Sequence, residues 1–175
     1  MKKFNTRGLV FLAMMAAISV VLGVYKIPIG DSLRITFMNI PIILASLWFG
    51  PFAGMAVGLS ADFIAANLTT GWYPPLALTP VLFGLLPWLL KHIFLKKQSF
   101  AGFLAVVLMT NIAGTMLWST YALTLLLGLN YFTLLTVRVP LYLGIALVET
   151  VCIYYLSKSG LDRIILSNRP KWWLR

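Results

Sequence analysis

Three charged residues interrupt long apolar stretches of this chain: Asp62, Arg138 and Glu149. A charge inside a membrane span is costly, so such residues usually bind a substrate or pair with another polar group. Arg138, Tyr142, Ile145 and Glu149 are spaced so that they share one face of a helix, which predicts a polar stripe facing the protein interior. The guanidinium of Arg138 suits a ligand role, Glu149 suits a structural one, and Asp62 is compatible with either.

Aromatic and polar side chains are predicted to gather at the same end of the molecule as Arg138. Asn111, Thr115 and Trp118 follow one helix face, Tyr121 lies one turn further on, and a loop adds two more aromatic residues, Trp72 and Tyr73. Each aromatic side chain on its own is also compatible with packing or with anchoring at a membrane interface. Aromatic walls combined with arginine forks favour a flat, ring-containing anion as ligand.

Catalytic signatures are missing from the sequence. There is no HExxH, GxSxG or Walker A motif and no closely spaced pair of carboxylates, so we expect no enzyme activity. One histidine, His92, and one cysteine, Cys152, cannot form a multi-histidine metal site or an internal disulfide. We therefore expect neither cofactor nor metal in this chain. If the protein takes part in active transport, another subunit must hydrolyse the ATP.

The composition indicates an integral membrane protein. The 175 residues are 61% hydrophobic and only 10% charged, whereas soluble domains are typically about 25% charged. The net charge of +10 is explained by lysine and arginine collecting at the cytoplasmic ends of helices, and not by nucleic-acid binding.

Apolar runs predict an all-α fold of six transmembrane helices in a single domain spanning residues 1–175. The predicted helices cover about residues 8–25, 35–49, 51–68, 76–94, 100–127 and 131–156, and loops cover 26–34 and 69–75. With both termini in the cytoplasm, 11 of the 14 lysines and arginines lie on that side, as membrane topology favours. The basic tail from residue 158 onward, with Trp172 and Trp173, is expected to lie on the membrane surface.

Small residues at helical spacing predict close helix contacts. Gly54 and Gly58 form a GxxxG spacing on the third helix, which favours packing against a neighbouring helix. Ala13 and Ala17 form an AxxxA spacing on the first helix. From the spacing alone, that face contacts either another helix of this chain or a separate subunit.

Nearly the whole chain resembles the substrate-binding (S) components of energy-coupling factor (ECF) vitamin transporters, most closely their folate branch. The resemblance is carried by LRITFMNIP over residues 33–41, by FGPFAG over 49–54 with Gly58 and Asp62, and by Arg138 followed eleven residues later by Glu149. The chain departs from the folate branch in the loop 69–75 and in lacking a lysine shortly after Arg138.

The resemblance implies a six-helix protein of the prokaryotic plasma membrane that captures folate outside and reorients on a coupling subunit. Its partners would be folate, the lipid bilayer, the transmembrane coupling subunit, which Ala13 and Ala17 would contact, and two ATPase subunits. The expected ligand-binding set is Arg34, Phe37, Asn39, Asp62, Trp72, Tyr73, Trp118, Tyr121, Arg138 and Tyr142. The residues leave two alternatives open: a component for another vitamin, such as pantothenate or a thiamine precursor, or a structural membrane protein without a small ligand.

Overall fold

A computed structural model describes residues 6–29, 33–69, 71–95, 99–128 and 130–159. Its α-helices are α1 (Thr6–Val24), α2 (Asn39–Phe49), α3 (Pro51–Thr69), α4 (Pro74–Phe94), α5 (Phe100–Asn111), α6 (Thr120–Leu127) and α7 (Tyr131–Lys158). A π-helical segment, Ile112–Ser119, joins α5 to α6 without a break. The predicted helical protein is therefore confirmed, with six helical rods. The basic tail from residue 160 onward, including Trp172 and Trp173, lies outside the described residues.

Four of these rods are long and apolar enough to cross a membrane: Pro51–Thr69, Pro74–Phe94, Phe100–Leu126 and Tyr131–Lys158. The apolar part of α1, Gly8–Val24, is slightly shorter, and α2 has only 11 residues. At 1.5 Å per residue α2 is about 16 Å long, roughly half the hydrocarbon thickness of a bilayer. The expectation that all six helices span the membrane therefore does not hold for α2 by length.

The start of α2 was predicted four residues too early, at Ile35. In the structure two short antiparallel strands, β1 (Ile27–Ile29) and β2 (Leu33–Ile35), form a small hairpin in which Ile27 pairs with Ile35. The Thr36 hydroxyl then donates to the Leu22 carbonyl at 3.1 Å and accepts from the Met38 amide at 3.3 Å. These bonds turn the chain from the hairpin into α2, which begins at Asn39.

The core lies around α2, whose residues from Pro41 to Phe49 are all buried. The ends of the helices meet at one end of the bundle, which we call the lysine end. There the Lys91 ammonium of α4 donates to the Leu47 carbonyl of α2 at 3.3 Å. Phe100, which begins α5, contacts the ring of Tyr154 near the end of α7 at 5.5 Å between centroids. The β1–β2 hairpin marks the opposite, or hairpin, end.

Glycines let α3 and α4 approach closely. A methyl group built on Gly58 would lie 2.6 Å from the Pro80 carbonyl oxygen, and one on Gly54 would lie 2.7 Å from the Gly84 carbonyl oxygen. A methyl group on Gly84 would overlap the backbone of Gly54 and Met55. The prediction that Gly54 and Gly58 serve helix packing is confirmed.

Gly84→Ala is expected to destabilise the protein by about 1–3 kcal/mol, because the backbone of α3 cannot rotate away from the new methyl group. The matched control is Gly144→Ala in α7, where a methyl group meets no atom within 4 Å and alanine favours the helix. Thermal unfolding of both purified variants in detergent measures the difference. Equal melting temperatures would contradict the close α3–α4 contact.

Candidate functional site

The polar stripe predicted on α7 faces the interior of the bundle, as expected. Arg138 is 3% exposed, Glu149 is 0% exposed, and Tyr142 and Ile145 between them are buried. Eleven residues separate the two charges, about 16 Å along the helix axis. Since this distance is too long for an ion pair, each charged group must be stabilised by other neighbours.

Glu149 joins three helices through two hydrogen bonds. Its Oε1 accepts from Asn39 Nδ2 of α2 at 3.1 Å, and its Oε2 accepts from Asn111 Nδ2 of α5 at 2.9 Å. The Asn111 amide also donates to the Val107 carbonyl of its own helix at 3.2 Å. Asn39 is thus a partner of Glu149 as well as a residue of the expected ligand set.

Arg138 is held by α6 and by its own helix. Its Nη1 donates to Thr120 Oγ1 at 3.2 Å, and its Cζ lies 5.6 Å from the centre of the Tyr142 ring. A guanidinium over an aromatic face is attracted by the negative potential of the ring. Arg138 and Tyr142 therefore form a cationic and aromatic pair near the hairpin end of α7.

A small hydrophobic cluster links this pair to the segment before α2. The buried residues Met116, Tyr142 and Ile145 are packed by Ile35 of β2 and by Phe37. This cluster is separate from the main core around α2. Phe37, a member of the expected ligand set, thus shares a cluster with Tyr142, another member.

The aromatic residues of the expected set divide into two groups. Trp118 donates its indole N–H to the Pro75 carbonyl at 2.8 Å and contacts the ring of Tyr121 at 6.2 Å between centroids. Trp72 instead packs edge-on against Phe63 of α3 at 5.4 Å. Trp118 therefore connects the π segment to the first turn of α4.

The face predicted for Asn111, Thr115 and Trp118, with Tyr121 one turn further on, follows the π segment and not a regular α-helix. Asn111 and Thr115 are buried, Trp118 is partly buried, and Tyr121 is 50% exposed. That expectation assumed a regular α-helix with 3.6 residues per turn. The π segment has wider turns, with hydrogen bonds to the fifth residue instead of the fourth, so the residues after it are rotated.

The remaining members of the expected set lie on three other elements: Asp62 on α3, Tyr73 directly before α4, and Arg34 in β2. Asp62 is partly buried on α3 and interacts electrostatically with Lys26. Tyr73 is partly buried immediately before α4. The main chain of Arg34 pairs opposite Pro28 in the hairpin, and its side chain lies outside the described part of the molecule.

Ala13 and Ala17 are both exposed on α1. The neighbouring side chains Leu9, Val10 and Met14 are also exposed. Of the two possibilities left by the AxxxA spacing, an internal contact is therefore not found among the described residues. This face of α1 is available to lipid or to another subunit.

Thr120 was missed by the reasoning from sequence. It is fully buried and bonds to Arg138, yet a threonine in an apolar helix carries no signal that separates it from its neighbours.

Within the described ranges, no group of three or more histidine, cysteine, aspartate and glutamate side chains could hold a metal ion.

Glu149→Ala is expected to destabilise the protein by about 1–3 kcal/mol, because the buried Asn111 amide and the partly buried Asn39 amide lose their acceptor. Thr150→Val is the control, since the Thr150 hydroxyl donates to the Ala146 carbonyl of its own helix at 2.6 Å. In a double-mutant cycle, Asn111→Ala should cost less in the Glu149→Ala background than in the wild type. Strictly additive losses of thermal stability would mean that the two side chains do not interact.

Comparison with solved structures places the fold among ECF substrate-binding components. A FolT protein bound with folic acid superposes with a TM-score of 0.73 at 22% identity, covering 87% of this chain and 94% of that one. The S component of a bacterial ECF transporter has a TM-score of 0.71 at 20% identity, covering 91% and 98%. An S component for biotin from an ECF-type ABC transporter has a TM-score of 0.66 at 20% identity, covering 90% and 95%.

Comparison by sequence gives the family. An uncharacterized MG313 homologue from Mycoplasma pneumoniae is 31% identical over 97 residues, which are 54% of this chain and 34% of that protein. The chain therefore matches about a third of the length of that curated relative. The family model for the substrate-specific component of ECF transporters matches residues 7–160. The chain belongs to the family of substrate-specific components of ECF transporters.

Proposed function

We propose that this chain is the folate-binding substrate-specific component of an ECF-type vitamin importer. The observation that carries the proposal is the buried pair of Arg138 and Tyr142 at the hairpin end, with Phe37 in the same cluster. A cationic group beside aromatic rings suits an anion that contains flat rings. Folate has both, since it combines a pterin and a benzoyl ring with a glutamate.

Each residue of the expected set has a proposed task in that site. Arg138, together with Arg34, binds the glutamate carboxylates or fixes the polar edge of the ligand. The rings of folate contact the aromatic members, which are Phe37, Trp72, Tyr73, Trp118, Tyr121 and Tyr142. Asp62 accepts hydrogen bonds from the amino-pyrimidine edge.

The hydrogen bond between Asn39 and Glu149 restricts which side-chain atom of Asn39 can contact the ligand. Its Nδ2 donates to Glu149 at 3.1 Å, so the side-chain carbonyl is the atom we assign to the ligand, as an acceptor from the pterin amino group. Glu149 then acts on the ligand through Asn39, whose amide it orients. Glu149 is in this account a positioning residue.

The distribution of charge supports the proposed membrane topology. We place both termini and the lysine end in the cytoplasm, because Lys91 and Lys158 belong to that end and lysine collects at cytoplasmic ends of helices. The hairpin end then faces outside, where the vitamin is captured. The molecule is accordingly proposed as one multi-pass domain of a prokaryotic plasma membrane that needs no cofactor of its own.

Transport requires partners that hydrolyse ATP. We assign the exposed face of α1 around Ala13 and Ala17 to the transmembrane coupling subunit, because small residues allow close approach of another helix in lipid. Two ATPase subunits complete the proposed importer. The chain would deliver folate by reorienting on that subunit.

Arg138→Ala is expected to weaken folate binding by at least about tenfold, because a hydrogen bond to a charged group contributes about 1.5–3 kcal/mol. Lys158→Ala is the matched control on the same helix: its ammonium lies 5.6 Å from the Tyr154 ring centre, at the lysine end. Isothermal titration calorimetry with folate measures both variants. An affinity within twofold of wild type for a folded Arg138→Ala protein would refute the task given to Arg138.

Ala13→Leu combined with Ala17→Leu is expected to abolish folate uptake while leaving folate affinity unchanged, because leucine side chains would hold the coupling subunit away from α1. Uptake into cells that carry the complete transporter and binding to the purified chain are measured on the same variant. Ala56→Leu, another exposed alanine but on α3, serves as the control. Unimpaired uptake would place the coupling contact elsewhere.

A further inference from the structure

We propose that Thr120 is a positioning residue that orients the Arg138 guanidinium toward the anionic group of the ligand. In this proposal the π segment brings Thr120 into hydrogen-bonding distance of Arg138. The inference rests on the proposed function, since it assumes that Arg138 binds that anion. The observation behind it is a chain of hydrogen bonds. Arg138 Nη1 donates to Thr120 Oγ1 at 3.2 Å, and the Thr120 hydroxyl donates to the Thr115 carbonyl at 3.0 Å.

The two bonds of Thr120 define the orientation of its hydroxyl. A threonine hydroxyl has one proton to donate and lone pairs that accept. Because the proton is used by the Thr115 carbonyl, a lone pair is left for the guanidinium. Thr120 is fully buried, so in the folded protein water does not compete for either bond.

The hydrogen bond of Thr120 to its own helix differs from those of other threonines in the bundle. Thr110, Thr136 and Thr150 each donate to the carbonyl four residues earlier, as expected in an α-helix. The Thr120 hydroxyl donates to the carbonyl five residues earlier, that of Thr115. The backbone N–H of Thr120 also donates to the Thr115 carbonyl and shares its hydrogen with the Leu117 carbonyl. Its hydroxyl position is therefore a product of the π turn.

The π segment also determines which way Thr120 faces. Nine residues separate it from Asn111, and in a regular α-helix nine steps of about 100° would put the two side chains on opposite faces. Both nevertheless bond to α7, Asn111 through Glu149 and Thr120 through Arg138. The wider π turns between them account for the difference.

Contacts from other helices hold the π segment in this form. Tyr131 of α7 donates to the Met116 carbonyl at 3.3 Å, and Trp118 donates to the Pro75 carbonyl of α4 at 2.8 Å. The ring of Phe83 lies against Gly114, where a methyl group would come within 2.7 Å of it. Thr120 is thus a fixed support for the guanidinium.

The test compares two ligands that differ at the glutamate carboxylates: folate, and folate with both carboxylates converted to uncharged methyl esters. Thr120→Val removes both hydrogen bonds of the hydroxyl at nearly constant volume, and the preference for folate over the diester is expected to fall about tenfold. Thr120→Ser retains both bonds and is expected to keep the wild-type preference. The control is Thr110→Val, which removes a buried hydroxyl that bonds only to the backbone of its own helix.

A structural role alone would lower the affinity for both ligands equally and leave their ratio unchanged. An unchanged ratio in Thr120→Val, or a lost preference in Thr120→Ser, would overturn the inference. If Thr120→Val does not fold, Thr120→Ala, which also removes the hydroxyl, takes its place, and an unchanged ratio in that variant overturns the inference in the same way. Arg138→Ala, titrated in parallel, separates the failure of the proposed function from the failure of this inference. If Arg138→Ala keeps the wild-type preference for folate over the diester, the proposed task of Arg138 is refuted. If Arg138→Ala loses that preference but Thr120→Val keeps it, only the task of Thr120 is refuted.

Discussion

The carboxylate of Glu149 holds together three elements that are far apart in the sequence. It accepts hydrogen bonds from Asn39, the first residue of α2, and from Asn111, the last residue of α5. A carboxylate buried in an apolar bundle is tolerated only when such donors surround it. Through these two hydrogen bonds, α7 is connected to the start of α2 and to the end of α5, directly before the π segment.

The arrangement of the hairpin end depends on that central contact. Because α2 begins near the depth of Glu149, the segment before it descends into the bundle and brings Ile35 and Phe37 against Tyr142. The π segment Ile112–Ser119 begins directly after Asn111 and is followed by Thr120, whose hydroxyl accepts a hydrogen bond from Arg138. Glu149 and Arg138, two charged residues of α7, therefore contact the start of α2 and the residues on either side of the π segment. The proposed site requires both of these elements.

Most of the helical architecture could be predicted from the sequence. The fifth rod was placed at residues 100–127, as observed, and the end of α4 at Phe94 was also correct. These limits are marked locally, by lysines and turn residues between apolar runs. Helix-forming runs and their breaks are local properties, which explains why the limits of the long helices were predicted within one or two residues.

The features that fell outside the prediction depend on partners outside the segment in which each residue lies. Ile35 follows the pattern of a helix start, but its pairing with Ile27 makes it part of a strand. The π segment has no local signature, because bonds to α7 and α4 maintain it. Among the site residues, the charges Arg138 and Glu149 could be found because charge is rare in apolar helices, whereas nothing in its residue type distinguished Thr120.

The central claim is that the hairpin end of this protein binds folate, and a titration of the purified protein in detergent tests it most directly. Trp72 lies two residues before α4, and Trp118 donates to the Pro75 carbonyl in the first turn of α4, so intrinsic tryptophan fluorescence is expected to report the arrival of a pterin ring. Saturable quenching by folate at nanomolar concentration, without a response to biotin, pantothenate or thiamine, is the result that the account predicts. No change of tryptophan fluorescence with folate, together with saturable binding of another vitamin, would contradict the claim and assign this member of the family a different substrate.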